Sequence, residues 1–283
     1  MRFSLLTLNL HTLQEPDQFE RLDRAARFIA EENVSCVCLQ GCVQRASAPE
    51  VDDEPGLREN NTALLLRSRL EQFGLKYGLV WDLSHRVDGS FEEGSAVLSQ
   101  LPLLGHCSRY VSNVDDPEDA ESRNVVMARL AAAPNSVIDV YSTRLSPPEA
   151  GFEEQLGSLV TFIEETPAVL EAMKPPPPKR RGPPRKRVPL EEPQVTTRLV
   201  CVAGRFSVEP DAGGAAMVER GYLEASAAAR EGSAQGAAAE DDRWFDYIYV
   251  KPALRPQSAR VVFTGEDAPP VSDRYGVLVE FEV

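Results

Sequence analysis

Apolar residues run almost unbroken through RFSLLTLNL at the start of the chain, a pattern that predicts a buried strand. The period then changes. Phe19, Leu22, Ala26 and Ile29 recur at helical spacing and predict an amphipathic helix over about 16 to 32. SCVCLQ is the next apolar run, which completes a β-α-β opening. Leu64, Leu65, Leu70 and Phe73 predict a second helix over about 58 to 73. Five strand-like runs follow in succession: YGLVWDL, GSAVLSQ, GHCSRYVS, RNVVMARLA and SVIDVYSTRL. Phe152, Leu156, Leu159, Val160 and Ile163 predict a third helix from about 151 to 172. TTRLVCVAG, WFDYIYV, SARVVFTG and YGVLVEFEV read as closing strands, with a small helical piece near 215 to 228. This order predicts an α/β fold, two sheets with helices on the outside.

Two stretches break the pattern. KPPPPKRRGPPRKRVP, Lys174 to Pro189, holds seven basic residues and no acidic one, and its prolines forbid helix and sheet. It reads as an extended, solvated insertion over about 174 to 195. It is either a surface insertion or a tether whose Lys174 to Arg187 stretch docks an acidic partner, nucleic acid or an SH3-like groove. A second loose, Ala/Gly-rich segment spans about 211 to 241.

The 283 residues, 42 % hydrophobic, suffice for one large α/β domain or two small ones. A formal charge of −14 makes a general nucleic-acid or anionic-membrane binder unexpected, because the summed field repels phosphate. The five cysteines, Cys36, Cys38, Cys42, Cys107 and Cys201, are odd in number, and C-x-C-x3-C is not a zinc spacing. They read as buried core thiols in a reducing, cytoplasmic compartment. The first residues lack a basic region and a cleavage site, and no run reaches the roughly 18 apolar residues of a membrane span. A soluble cytoplasmic protein without membrane contact is the expectation.

Candidate chemistry starts at VAGRFSVEP, where a strand runs into a turn at Gly204 and delivers Arg205 and Ser207 to its tip. In α/β proteins such strand ends carry function. The stretches LLTLNLHTLQE, CVCLQG, FEEGSAVLSQLPL, NVVMARL, VYSTRLS, VAGRFSVEP, WFDYIYV and SDRYGVLVEF occur in this order. The chain in this respect resembles the endonuclease/exonuclease/phosphatase superfamily, the deoxyribonuclease I-like metal-dependent phosphoesterases. NLHTLQE, WDLSH and FEEGSAVLS look most like the bacterial sugar-phosphate phosphatase branch, which includes maltose-6'-phosphate phosphatases. The resemblance runs from Phe3 to Val283. It implies a single domain over residues 1 to 283 with a four-layer α/β/β/α sandwich.

It also implies a Mg or Mn site, with an Asn on the first strand and a metal-binding Glu closing LQE. A His in STHL, an Asp and an Asn in GDFN, an Asp in DYI and an Asp-His pair in SDH complete the set. Asn9, Asp246 and Asp273 stand at matching positions and are kept. Gly41 takes the place of the metal-binding Glu, and Arg144 the place of the first His. Arg205 replaces the Asp, Ser207 the Asn, and Arg274 the last His, the one that pairs with the Asp at position 246 in the family. Arginine stays protonated and neither accepts a proton nor holds a cation. Three arginines against two aspartates leave this pocket at a formal charge of about +1, which repels Mg²⁺. The expectation is therefore no metal cofactor.

Three readings follow. In the first, the fold is a pseudoenzyme whose Arg144, Arg205 and Arg274, with Arg123 of SRNVV, bind a small anion such as a sugar phosphate. His85 and Glu93 join them in that ligand-binding set, and Arg274 is expected to form a salt bridge with Asp246. The plainer version has the arginines only neutralising the carboxylates. In the second, a hydrolase has rebuilt its site from Glu92, Glu93, His85, Asp82 and His11; there the plain alternative is a surface Glu92 and a hydrogen-bonded loop His85. In the third, the folded body is a scaffold that acts through the basic insertion.

Overall fold

A computed structural model of the chain describes residues 2–10, 17–52, 54–174, 195, 197–208, 216–229, 246–251, 254–265 and 268–283. His11, most of the basic insertion and most of the Ala/Gly-rich segment lie outside the described residues.

Strand β1 (Arg2–Asn9) leads through helix α1 (Gln18–Glu31) to β2 (Cys36–Arg45), and the two strands pair in parallel. After α2 (Thr62–Gln72), β3 (Gly78–Val87) and β4 (Phe91–Ser99) form a hairpin whose second strand joins β2. The chain then crosses to a second sheet. There β5 (Leu103–Tyr110), β6 (Asn124–Ala133) and β7 (Ser136–Arg144) form a meander. Helix α3 (Phe152–Met173) carries the chain to β8 (Thr197–Arg205), parallel to β7. The short β9 (Leu223–Glu224) and β10 (Asp246–Val250) complete this sheet, and β11 (Arg255–Val262) and β12 (Gly276–Glu282) return to the first. The sheet orders are β11-β12-β1-β2-β4-β3 and β5-β6-β7-β8-β10-β9.

Why this sequence takes these layers follows from side-chain alternation, since successive strand residues face opposite sides. Phe3, Leu5, Cys36 and Cys38 of the first sheet meet Val126, Ala128, Ile138, Val140, Cys201, Ala203 and Ile248 of the second in an apolar inter-sheet core. The other face of the first sheet, Leu6, Leu8, Val37 and Leu39, is covered by Leu22, Ala25, Ala26 and Ile29 of α1 and by Leu66 and Leu70 of α2. Leu156, Leu159, Phe162 and Ile163 of α3 cover Met127, Tyr141, Val200 and Val202 on the outer face of the second. The result is the four-layer α/β/β/α sandwich. Each fully buried apolar side chain contributes about 1.5–3 kcal/mol relative to exposure, so the three clusters dominate the driving force. Helix α2 starts where the buried Asn61 caps it, its Oδ1 accepting from the N–H groups of Ala63 (2.9 Å) and Leu64 (3.3 Å).

All five cysteines are free and buried, as their apolar setting implied. No helix among the described residues is long and apolar enough to cross a membrane.

Each sheet contains one parallel crossover, β1-α1-β2 and β7-α3-β8. A parallel pair brings two carboxyl ends of strands to the same edge, where α/β proteins bind ligands. The candidate residues gather at these ends.

Candidate functional site

Alternation aims the site. Because Phe3 and Leu5 face the inter-sheet core, so does Asn9; because Cys201 and Ala203 do, so does Arg205; because Ile248 and Val250 do, so does Asp246. Arg144 follows from Ile138 and Val140 in the same way. The register then sets neighbours side by side: Arg144 is opposite Arg205 across β7 and β8, and Arg205 is opposite Asp246 across β8 and β10. Three strand ends thus present two guanidinium groups and one carboxylate to the mouth of the inter-sheet crevice.

Asp246 is buried, with 4 % of its surface exposed. Burial pushes its carboxyl up to about 6, against the opposing pull of Arg205, Arg274, the Asn9 backbone N–H and Arg144. Its Oδ2 has no hydrogen-bond partner among the described residues. Burial lowers the pKa of Arg205, and the like charges of Arg274 and Arg144 lower it further, with Asp246 and Asp273 opposing. Arg205 Nε donates to Ser207 Oγ at 3.2 Å, and Ser207 takes a left-handed backbone conformation, φ 50°, to receive it. The expected salt bridge between Arg274 and Asp246 is not formed. Arg274 Nε lies 3.3 Å from Oδ2 of its neighbour Asp273, and it reaches Asp246 only through its field. Ser272 holds this pair in place, its hydroxyl donating to Asp273 Oδ1 (3.1 Å) and accepting from the Arg274 N–H (3.3 Å).

A second cluster adjoins the first through Arg144. Arg144 Nη1 donates to Glu93 Oε1 at 2.6 Å. Glu93 is opposite His85 across β4 and β3, and Arg123 sits just before β6. Burial lowers the pKa of His85, with Glu93 opposing and Arg123 and Arg144 adding to the fall. Arg123 likewise has its pKa lowered by burial and by Arg144, and its Nη1 donates to the carbonyls of Ala120 (2.7 Å) and Ser122 (2.9 Å). Arg123 Nε and His85 Nδ1 are buried without hydrogen-bond partners among the described residues. His85 is a strand residue, not the loop residue its motif suggested.

Other predicted residues stand apart. Glu92 is buried, not on the surface, and faces away from Glu93. Burial raises its pKa, but hydrogen bonds from Arg58 (2.9 Å) and Gln44 (2.8 Å) outweigh this and hold it below the usual range. Asp82 accepts hydrogen bonds from the Ser108 hydroxyl and the Leu83 N–H, which occupies it in linking the sheets. Neither group is available to build a new centre around His85. Sequence reasoning passed over Asn124, which ties β6 to β3 beside the second cluster. Its Nδ2 donates to Leu83 O at 2.8 Å, and its Oδ1 accepts from the Ser84 hydroxyl at 2.6 Å. A polar residue opening the apolar run NVVMARL was its only signal.

The metal implied by the resemblance can be tested against these donors. A hard dication needs several oxygen ligands. Here Asp246 lies in the field of three arginines, and Asp273 is paired with Arg274. Gly41 contributes no side chain, and it occupies a bulge of β2 between Leu39 and Cys42 with φ 60°, a backbone that disfavours any residue with a Cβ. Among the described residues, no three His, Cys, Asp or Glu side chains gather to hold a cation. The donor set does not fit Mg²⁺ or Mn²⁺.

No family model and no curated protein matches the chain. Solved structures do match it. An endonuclease/exonuclease/phosphatase family protein from Leptotrichia buccalis superposes with a TM-score of 0.77 at 20 % identity, over 99 % of this chain and 100 % of that one. The endonuclease/exonuclease/phosphatase from Bacteroides vulgatus gives 0.65 at 16 % identity, over 100 % and 99 %. The human Nocturnin catalytic domain, with a bound sulfate anion, gives 0.62 at 13 % identity, over 99 % and 93 %. The chain therefore has the endonuclease/exonuclease/phosphatase, deoxyribonuclease I-like fold.

Proposed function

We propose that this chain keeps the phosphoesterase fold as a binding protein: its crevice takes a small anion and does not hydrolyse it. The observation that carries this reading is the row Arg144, Arg205, Asp246 across three adjacent strand ends, with Arg274 in the field of both Arg205 and Asp246. Hydrolysis of a phosphate ester by the fold's metal-assisted route needs a dication and a group that orients or deprotonates water. Guanidinium groups neither replace the dication nor take a proton from water, but they are forked, permanently charged donors suited to phosphate and carboxylate oxygens. Counting Arg123 and Glu93, the crevice holds four guanidinium groups against three carboxylates. The sulfate held by the Nocturnin domain is in keeping with an anion receptor on this fold. The resemblance of NLHTLQE, WDLSH and FEEGSAVLS to sugar-phosphate phosphatases makes a sugar phosphate the first ligand to try, and five buried thiols suit a reducing, cytoplasmic setting.

The test is a thermal-shift and calorimetric screen of sugar phosphates and nucleotides, alongside titration with Mg²⁺ and Mn²⁺ and an assay of a generic phosphomonoester. The expected outcome is stabilisation by anions, no heat of metal binding and no turnover. Metal-dependent turnover that disappears in Asp273→Ala would overturn the reading.

A further inference from the structure

Asp246 heads β10 beside the ends of β7 and β8 with one oxygen, Oδ2, buried and without a hydrogen-bond partner among the described residues. Among the described residues, four elements bring charged or donor groups to it. Arg205 comes from β8, Arg144 from β7, Arg274 from the segment before β12, and the Asn9 N–H from β1; Asp273 acts on Arg205 from that same segment before β12. A buried acceptor without a donor is costly, and a ligand that supplies the donor recovers that cost. The arginines attract oxyanions in general, yet an oxyanion without a hydrogen sets its lone pairs against those of Oδ2.

We infer that the crevice selects an oxyanion that brings its own proton, hydrogen phosphate or a singly protonated phosphomonoester, over sulfate or a phosphodiester. One P–O–H group donates to Asp246 Oδ2 while the remaining oxygens accept from Arg205 and its neighbouring guanidinium groups. The inference rests on reading the crevice as an anion receptor. With the Asp246 carboxyl pushed up to about 6, the group is ionised at pH 7.5 and acts there as an acceptor.

Inorganic phosphate and sulfate make a clean pair of probes, because at pH 7.5 both are mainly dianions of similar size that differ by one proton. Calorimetric titration at matched ionic strength should find phosphate bound about ten-fold or more tightly than sulfate, the scale set by leaving a buried charged acceptor unpaired. In Asp246→Asn the amide donates to either ion, so sulfate gains and the two affinities converge to within about two-fold. Equal binding of the two ions by the wild type at pH 7.5 would overturn the inference and leave the receptor reading intact. A preference for phosphate that persists in Asp246→Asn would do the same, since the discrimination would then lie elsewhere. If neither ion binds, the receptor reading fails and the inference fails with it.

Discussion

Two aspartates of the second sheet are buried among arginines, and they are held in opposite ways. Asp139, in the middle of β7 beneath α3, is fully buried, and both its oxygens are occupied. Arg129 grips it with two parallel bonds, Nε to Oδ1 at 2.7 Å and Nη2 to Oδ2 at 2.8 Å, and Arg198 Nε adds a third to Oδ2 at 2.6 Å. Arg198 is itself spoken for, donating to the Tyr141 hydroxyl (2.9 Å) and the Ile163 carbonyl (2.7 Å). Asp246, at the strand ends, has three arginines in its field, and its buried Oδ2 still has no hydrogen-bond partner among the described residues. The chemistry is the same in both places. The difference is closure: a carboxylate with both oxygens hydrogen-bonded joins strands to a helix, whereas one with an unpartnered oxygen beside cations leaves its charge unmatched.

The largest effect should come from opening the closed cluster. Asp139→Ala leaves the partly buried charges of Arg129 and Arg198 without their counterion, and should cost about 3–5 kcal/mol in unfolding free energy. Denaturant melts check this, and a loss below about 1 kcal/mol would erase the contrast between the two aspartates. The next effect is a pH dependence at Asp246. Its folded pKa, about 6, stands above the ordinary 3.8, so the folded state holds the proton more tightly than the unfolded chain does. The group therefore favours folding at low pH, and that contribution is lost as pH rises from about 4 through about 6. Its size is of order 3 kcal/mol. Asp246→Asn removes this titration, so its stability relative to wild type should climb across that window; a difference constant from pH 4 to 7 would refute the assignment. The smallest effect is at Glu93, whose ion pair with the one-third-exposed Arg144 is only partly shielded from water. Glu93→Gln should cost no more than about 1 kcal/mol of stability while tightening phosphate binding, because Arg144 is released. Weaker phosphate binding in that variant would show that Glu93 orients Arg144 for the anion.

The layers were legible because burial writes its period into the chain. RFSLLTLNL and TTRLVCVAG are continuous apolar runs because each strand is covered on both faces, and the helices expected near 16–32, 58–73 and 151–172 are found at Gln18–Glu31, Thr62–Gln72 and Phe152–Met173. The crevice was legible in its membership and not in its pairing. Glu92 and Glu93 differ by one position, and alternation alone decides that the first joins Arg58 and Gln44 while the second joins Arg144. Bulges between Leu39 and Cys42 and between Leu83 and His85 shift that alternation by a residue, and nothing in the local pattern announces them. Arg274 likewise pairs with its chain neighbour Asp273 and not with Asp246, a contact between adjacent residues that the motif order does not show.

Gly204, immediately before Arg205, has φ 143° and lies opposite Thr143, so close that a Cβ there would meet the Thr143 carbonyl oxygen at 1.9 Å. The strand is consequently strict in what it tolerates at Gly204, while Arg205, one step further on, ends the strand with its side chain only partly buried. Variation over generations could exchange an acid for a base at that tip and leave the sandwich standing, but it could not place a methyl group at the residue behind it without prising two strands apart. A fold constrained in this way holds its backbone more strictly than it holds the residues at its strand ends.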